Sequence, residues 1–369
     1  MIRGNGALNS RSILVAREHV LIKKRRCYSF SAVSQLISDP IDCERRPGFP
    51  NARRLLRCYA GPLAFGFLIL ALLTACSVHA PTEPSITNEQ PQLVERQIEI
   101  HGVTRTYHVF NGGTENASPI VIALHGGGGN GLKFADQAGL IAKAKAEGFI
   151  LVLPNGAARV AHRGTWNATG CCGYAVKEKM EDVAFVTATL SEVVETYHAD
   201  PTRAYLIGIS NGGMLAFKIA IEKPETFAAI GVVVGAMFDN REVPKLSQPL
   251  IMITGTNDAL VPEAGGMSPN KLVRSAQTAP FKSAANALKF WAAANDCVGP
   301  PKITNINGVI KARYGKCAGG SEVVHISLDK AGHAWPGGRP SGLENANTNQ
   351  AINATDVLWS FVKTKRLVR

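Results

Sequence analysis

Two hydrophobic patterns take turns along this chain from about residue 97 onward. Residues 97–100 and 105–110 place apolar side chains at every second position, as half-buried strands do, with His101 and Gly102 as the turn between them. Residues 119–124 and 149–153 are apolar at consecutive positions, which fits strands covered on both faces. Further strands are expected at 205–208, 229–234, 250–253 and 323–328. Helical patterning falls between them, at 133–148, 180–198, 215–221, 283–295 and 354–364, with Asp200-Pro201 stopping the second. A loop runs from Pro154-Asn155-Gly156 to about Lys179. Strands alternating with helices predict a parallel α/β sheet with right-handed crossovers, whose ligand lies at the carboxyl ends of the strands. No internal repeat and no separate binding module is visible.

The run from Ala204 to Met214 carries the chemistry. An apolar strand enters Gly208-Ile209-Ser210-Asn211-Gly212, and a helix leaves it. In that strand–turn–helix setting a Gly-x-Ser-x-Gly serine becomes a nucleophile, because only glycine fits beside so sharp a turn. A hydroxyl at neutral pH needs a base, and the base needs an acid to orient it; in this architecture they follow in the order Ser, Asp or Glu, His. Asp258, on the loop past the strand at 250–253, is the expected acid, and Asp182 is explained by stabilisation of a helix start. His333, in Ala331-Gly332-His333-Ala334-Trp335, is the expected base: it follows the last strand on a glycine-flanked loop, whereas His325 falls inside that strand and His125 opens a glycine loop. A tetrahedral oxyanion needs two fixed donors. The backbone N–H groups of Asn211 and of Gly127, in His125-Gly126-Gly127-Gly128-Gly129, are the candidates. No Gly-Lys-Ser/Thr follows those glycines, which argues against a phosphate loop. Trp166 and Trp335 are candidate walls of a substrate pocket, with packing in the core or at the rim as the alternative.

Composition alters this picture mainly at the N-terminus. The 369 residues, 46% hydrophobic and 18% charged, suit one α/β domain plus an extra segment. Residues 1–58 hold 12 Lys and Arg against 4 Asp and Glu, a net +8 of the chain's formal +12, so the basic balance says little about the domain. No nucleic-acid motif or aromatic interleaving accompanies it. Residues 61–75 are uncharged and apolar but shorter than the ~20 residues of a spanning helix. They end in Leu73-Thr74-Ala75-Cys76, which resembles a bacterial lipobox, with a short anchor or an ordinary secretory signal as alternatives. The expected organisation is a leader over 1–76, removed at a lipidated Cys76, then a flexible proline-rich tether over 77–92. Residues 1–52 exceed a normal signal n-region and point to a start assigned too far upstream. The localisation that follows is an exported cell-envelope lipoprotein or a secreted protein. After Cys76, four cysteines remain. Cys297 and Cys317 bracket one segment and are expected to pair, while adjacent Cys171 and Cys172 are read as either bridged or free. Neither set has metal-ligand spacing.

Taken together, Leu124-His125-Gly126-Gly127, Trp166-Asn167 with Cys171-Cys172-Gly173, Glu181-Asp182-Val183-Ala184-Phe185, Gly208-Ile209-Ser210-Asn211-Gly212-Gly213-Met214, Gly255-Thr256-Asn257-Asp258 and Gly332-His333-Ala334-Trp335-Pro336-Gly337 resemble the esterases that include poly(3-hydroxybutyrate) depolymerases and the feruloyl and acetylxylan esterases of carbohydrate esterase family one. The resemblance covers about 95–365. It implies an α/β-hydrolase fold over 93–369, a mostly parallel central sheet flanked by helices on both faces, with Ser210, Asp258 and His333 as triad. It also implies an oxyanion donor on the loop after His125, where some relatives carry a residue other than Gly127. The expected activity is serine carboxylic-ester hydrolysis through an acyl-enzyme, on hydroxyalkanoate oligomers or on feruloyl or acetyl esters, with no metal or organic cofactor and no obligate protein partner. A membrane contact is expected through the lipid anchor only. A peptidase or acyltransferase on the same fold and an inactive binding lipoprotein are the alternatives.

Overall fold

Ten strands among the described residues build one sheet: β1 (Leu93–Ile100), β2 (Val103–Asn111), β3 (Ile120–Leu124), β4 (Ile150–Pro154), β5 (Ala204–Ile209), β6 (Ala229–Val233), β7 (Leu250–Gly255), β8 (Lys302–Ile306), β9 (Val309–Tyr314) and β10 (Val323–Leu328). The computed structural model describes residues 92–113, 116–239, 242–340 and 348–367. All of them fall in the second of the chain's two units, Met1–Thr82 and Glu83–Arg369. Cys76, the leader over 1–76 and the tether up to residue 91 lie outside the described residues.

The strand order is β1-β2-β4-β3-β5-β6-β7-β10-β9-β8. From β4 through β10 in that order the strands run parallel. Antiparallel pairing adds β2 and β1 at one edge and β9 and β8 at the other. The consecutive apolar runs follow from cover on both faces, because successive side chains point opposite ways. In β3, Ile120, Ile122 and Leu124 enter one core, while Val121 and Ala123 enter the other. Helices α1 (Gly131–Gln137), α2 (Leu140–Glu147) and α8 (Ala354–Val362) close the second core; α4 (Asp182–Tyr197), α5 (Asn211–Glu222) and α7 (Ala284–Ala294) close the first.

Three features depart from the hydrophobic pattern. The helix expected over 133–148 is two helices, because Gly139 takes φ 65° and starts α2 afresh. Short helix α3 (Gly173–Lys177) interrupts the stretch expected to be loop, and α6 (Lys271–Ala276) falls where no element was expected. The β8–β9 hairpin was not expected at all. Every residue of β8 is exposed, so no alternation marks it, but Asn307 and Gly308 at φ 51° and 79° form the Asn-Gly turn that was its one local signal. No described helix is long and apolar enough to cross a membrane.

Candidate active site

Four loops leaving the carboxyl ends of β3, β5, β7 and β10 carry His125, Ser210, Asp258 and His333. The first two are set by glycine. A Cβ on Gly208 would lie 2.5 Å from the Gly212 carbonyl carbon, and one on Gly212 would lie 2.5 Å from the His125 carbonyl oxygen. Strand, helix and loop therefore approach as closely as bare backbone allows. Ser210, between those glycines, holds φ 53° and ψ −123°, a region that costs a non-glycine residue roughly 1–3 kcal/mol. Its N–H donates to the Val233 carbonyl at 2.9 Å and its carbonyl accepts from the Met214 N–H at 2.9 Å, which lock the turn from both sides.

The acid and base loops are laced together. The Thr256 and Asn257 N–H groups donate to the carbonyls of Leu328 and Ala331 at 3.0 and 2.9 Å, and a Cβ on Gly255 would lie 2.7 Å from the Ala331 carbonyl carbon. Asp258, its side chain 2% exposed, accepts at Oδ1 from the Leu260 and Val261 N–H groups, both at 2.8 Å. Its Oδ2 lies 2.8 Å from His333 Nδ1. A carboxylate can only accept, so the ring proton sits on Nδ1 and leaves Nε2 as acceptor for the Ser210 hydroxyl, 2.8 Å away. The structure thus brings Ser210, His333 and Asp258 into one hydrogen-bonded row across 123 and 75 residues of sequence.

The glycine loop lies beside this row. A Cβ on Gly126 would sit 3.4 Å from Ser210 Cβ, and one on Gly127 would sit 3.6 Å from Asn211 Cβ. His125 anchors the loop: Nδ1 pairs with the Gly126 carbonyl at 2.7 Å and Nε2 accepts from the Gly156 N–H at 2.9 Å. Burial pushes its pKa down to about 4, so the ring is neutral. Among the described residues, no cluster of His, Cys, Asp and Glu could hold a metal ion.

Two tryptophans correct the pocket expectation. Trp166 is fully buried; its indole N–H donates to the His125 carbonyl at 2.8 Å and its ring faces that of Phe185. Trp335 is also buried, edge-on to Phe134, with its indole N–H on Thr355 Oγ1 at 3.0 Å. Both indoles spend their donors inside the protein, and neither ring face is open to a ligand. Asp182 likewise does more than stabilise a helix start. It is buried against Arg105 at 2.7 Å and accepts the Asn167 N–H at 2.7 Å. Burial raises its pKa despite the opposing pull of Arg105. The local signal for this pair is parity: Arg105 occupies an inward position of β2, in line with buried Tyr107 and Val109. Cys297 and Cys317 are bridged, and so are Cys171 and Cys172.

A parallel sheet with helices on both faces and a serine on a strand–helix turn define an α/β hydrolase. The acetyl xylan esterase from Aspergillus awamori shares this architecture: 73% of this chain superposes on 99% of that one with a TM-score of 0.51 at 13% identity. Residues 105–321 match the Esterase PHB depolymerase family, to which this chain belongs. A putative esterase from Nocardia uniformis subsp. tsuyamanensis is 27% identical over 71% of this chain and 81% of its own length. A probable feruloyl esterase C from Aspergillus niger is 26% identical over 54% of this chain and 70% of its own. The protein is a carboxylic ester hydrolase.

Proposed function

We propose that Ser210 is the nucleophile, His333 the general base and acid, and Asp258 the group that orients His333. The observation that carries this reading is the continuous hydrogen-bonded row Ser210–His333–Asp258, each link 2.8 Å long. Ser210 Oγ attacks the ester carbonyl as His333 Nε2 takes its proton, and the N–H groups of Gly127 and Asn211 receive the oxyanion. His333 returns the proton to the departing alcohol, leaving an acyl-enzyme. Water, deprotonated by the same nitrogen, releases the acid. Relatives named as feruloyl and acetylxylan esterases support feruloyl or acetyl esters as substrates, with hydroxyalkanoate oligomers the other class within the family's range. Export through the leader over 1–76, with cleavage before Cys76 so that the lipidated Cys76 begins the mature chain, a tether over 77–92 and an esterase domain over 93–369 complete the proposal; the apolar run before Cys76 supports it.

Ser210→Ala is expected to lower kcat for p-nitrophenyl butyrate by at least about 10,000-fold without loss of fold, and to abolish labelling by a fluorophosphonate. Unchanged turnover by the folded variant refutes the assignment.

A further inference from the structure

The two proposed oxyanion donors sit on different elements, Gly127 on the loop after β3 and Asn211 at the start of α5. Their separation must hold closely, since a donor is useful only ~2.7–3.1 Å from the developing oxyanion. Residues 164–167 bond to both elements. Toward the glycine loop, the Gly128 N–H donates to the Gly164 carbonyl and the Gly164 N–H to the Gly129 carbonyl, each at 2.8 Å. The Trp166 indole N–H adds its bond to the His125 carbonyl at 2.8 Å. Toward α5, the Asn211 side chain pairs with Trp166 backbone on both sides: Oδ1 accepts the Trp166 N–H at 2.7 Å, and Nδ2 donates to the Trp166 carbonyl at 3.1 Å. The far end is held by Asp182, which accepts the Asn167 N–H at 2.7 Å while bound to Arg105. Trp166 and Asn211 are 0% and 1% exposed, so water does not compete for these bonds.

We infer that residues 164–167 are a brace that sets the spacing of the oxyanion donors, with Trp166 and the Asn211 side chain as positioning residues. The idea rests on the assignment of Ser210 and the two donors above. Asn211 then has two separate duties. Its backbone N–H meets the oxyanion, and its side chain fixes the orientation of that same peptide. Because the brace acts on the transition state's charge and not on the resting ester, its loss should appear in kcat rather than KM.

Trp166→Phe keeps an aromatic ring, though a smaller one, and removes the bond to His125. Asn211→Ala removes both bonds to the brace while keeping the backbone donor. Trp291→Phe is the control: Trp291 is equally buried on α7, and its indole nitrogen has no hydrogen-bond partner. Each enzyme is titrated with a fluorophosphonate and assayed on p-nitrophenyl butyrate. It is also assayed for inhibition by a trifluoromethyl ketone, whose carbonyl carbon bonds reversibly to Ser210 Oγ and leaves an oxyanion. Displacing a catalytic group by about 1 Å costs up to ~100-fold. The expectation is therefore a fall in kcat per titrated site of roughly 10- to 100-fold in both brace variants, with KM within about twofold and the ketone's Ki raised by the factor lost from kcat. Trp291→Phe should keep kcat. Brace variants that keep wild-type kcat per site, that change KM alone, or that merely match Trp291→Phe overturn the inference. If Trp166→Phe does not fold, Asn211→Ala decides the question by itself. Wild-type enzyme that fails to label with fluorophosphonate would instead refute the nucleophile assignment, so the two failures are distinguishable.

Discussion

Replacing Asp258 by Asn is a sharp test of the site, because its surroundings dictate which way the new amide faces. Oδ1 accepts the Leu260 and Val261 N–H groups, both at 2.8 Å. An NH2 turned toward them would set buried donors against a donor, so the amide oxygen stays there and the NH2 faces His333 Nδ1. That nitrogen must then accept, and the ring proton moves to Nε2, the atom 2.8 Å from Ser210 Oγ. An imidazole in this tautomer cannot take the serine proton, and no carboxylate stabilises the imidazolium. In serine hydrolases with the same row of groups the change costs about 10,000-fold in kcat, or about 5 kcal/mol of transition-state stabilisation. The number of hydrogen bonds is preserved, so the melting temperature should move little. Kinetics on p-nitrophenyl butyrate together with thermal unfolding measure both quantities. A folded Asp258→Asn enzyme retaining more than about a tenth of wild-type kcat would show that the carboxylate does not set the tautomer.

Two further predictions concern buried charge. Arg105→Met strands the Asp182 carboxylate in the core and should cost about 3–5 kcal/mol at pH 7. Burial already raises the Asp182 pKa in the folded state, so stability tied to its protonated form is present at low pH and lost as pH rises. The deficit of Arg105→Met should therefore shrink as pH is lowered below neutrality, and denaturant titrations showing a pH-independent deficit would contradict this. His125 has the opposite sign. Its pKa falls from 6.5 to about 4 on folding, so the unfolded chain takes up the proton first and stability declines as pH drops through that interval. His125→Gln keeps an acceptor for the Gly156 N–H but cannot titrate, and its melting temperature should fall less steeply between about pH 6.5 and 4. Parallel wild-type and variant curves would count against a neutral buried ring.

Much of the site was legible along the chain because its signals are local. Apolar runs placed the central strands, and Gly208 and Gly212 marked a turn that only glycine permits. The post-strand loops of Asp258 and His333 followed in the order the chemistry requires. Elsewhere local signals misled. The helical patterning over 133–148 hid the break at Gly139, and β8, exposed throughout, carried no period to read. Trp166 looked like a pocket wall because an aromatic ring near a site suits either role; only its burial and its indole bond to His125 decide between them.

Hydrophobic period and turn chemistry act over a few residues, so the amino-acid order by itself determined the strand–helix alternation, the strained serine and the identities of its partners. Tertiary structure decided which polar groups meet across long separations. Asn211 reaches Trp166 over 45 residues and Arg105 reaches Asp182 over 77, in bonds that exist only once the sheet has brought β2, α4 and α5 together. A buried polar group must find a partner wherever the fold places one, and no local pattern records which partner that will be.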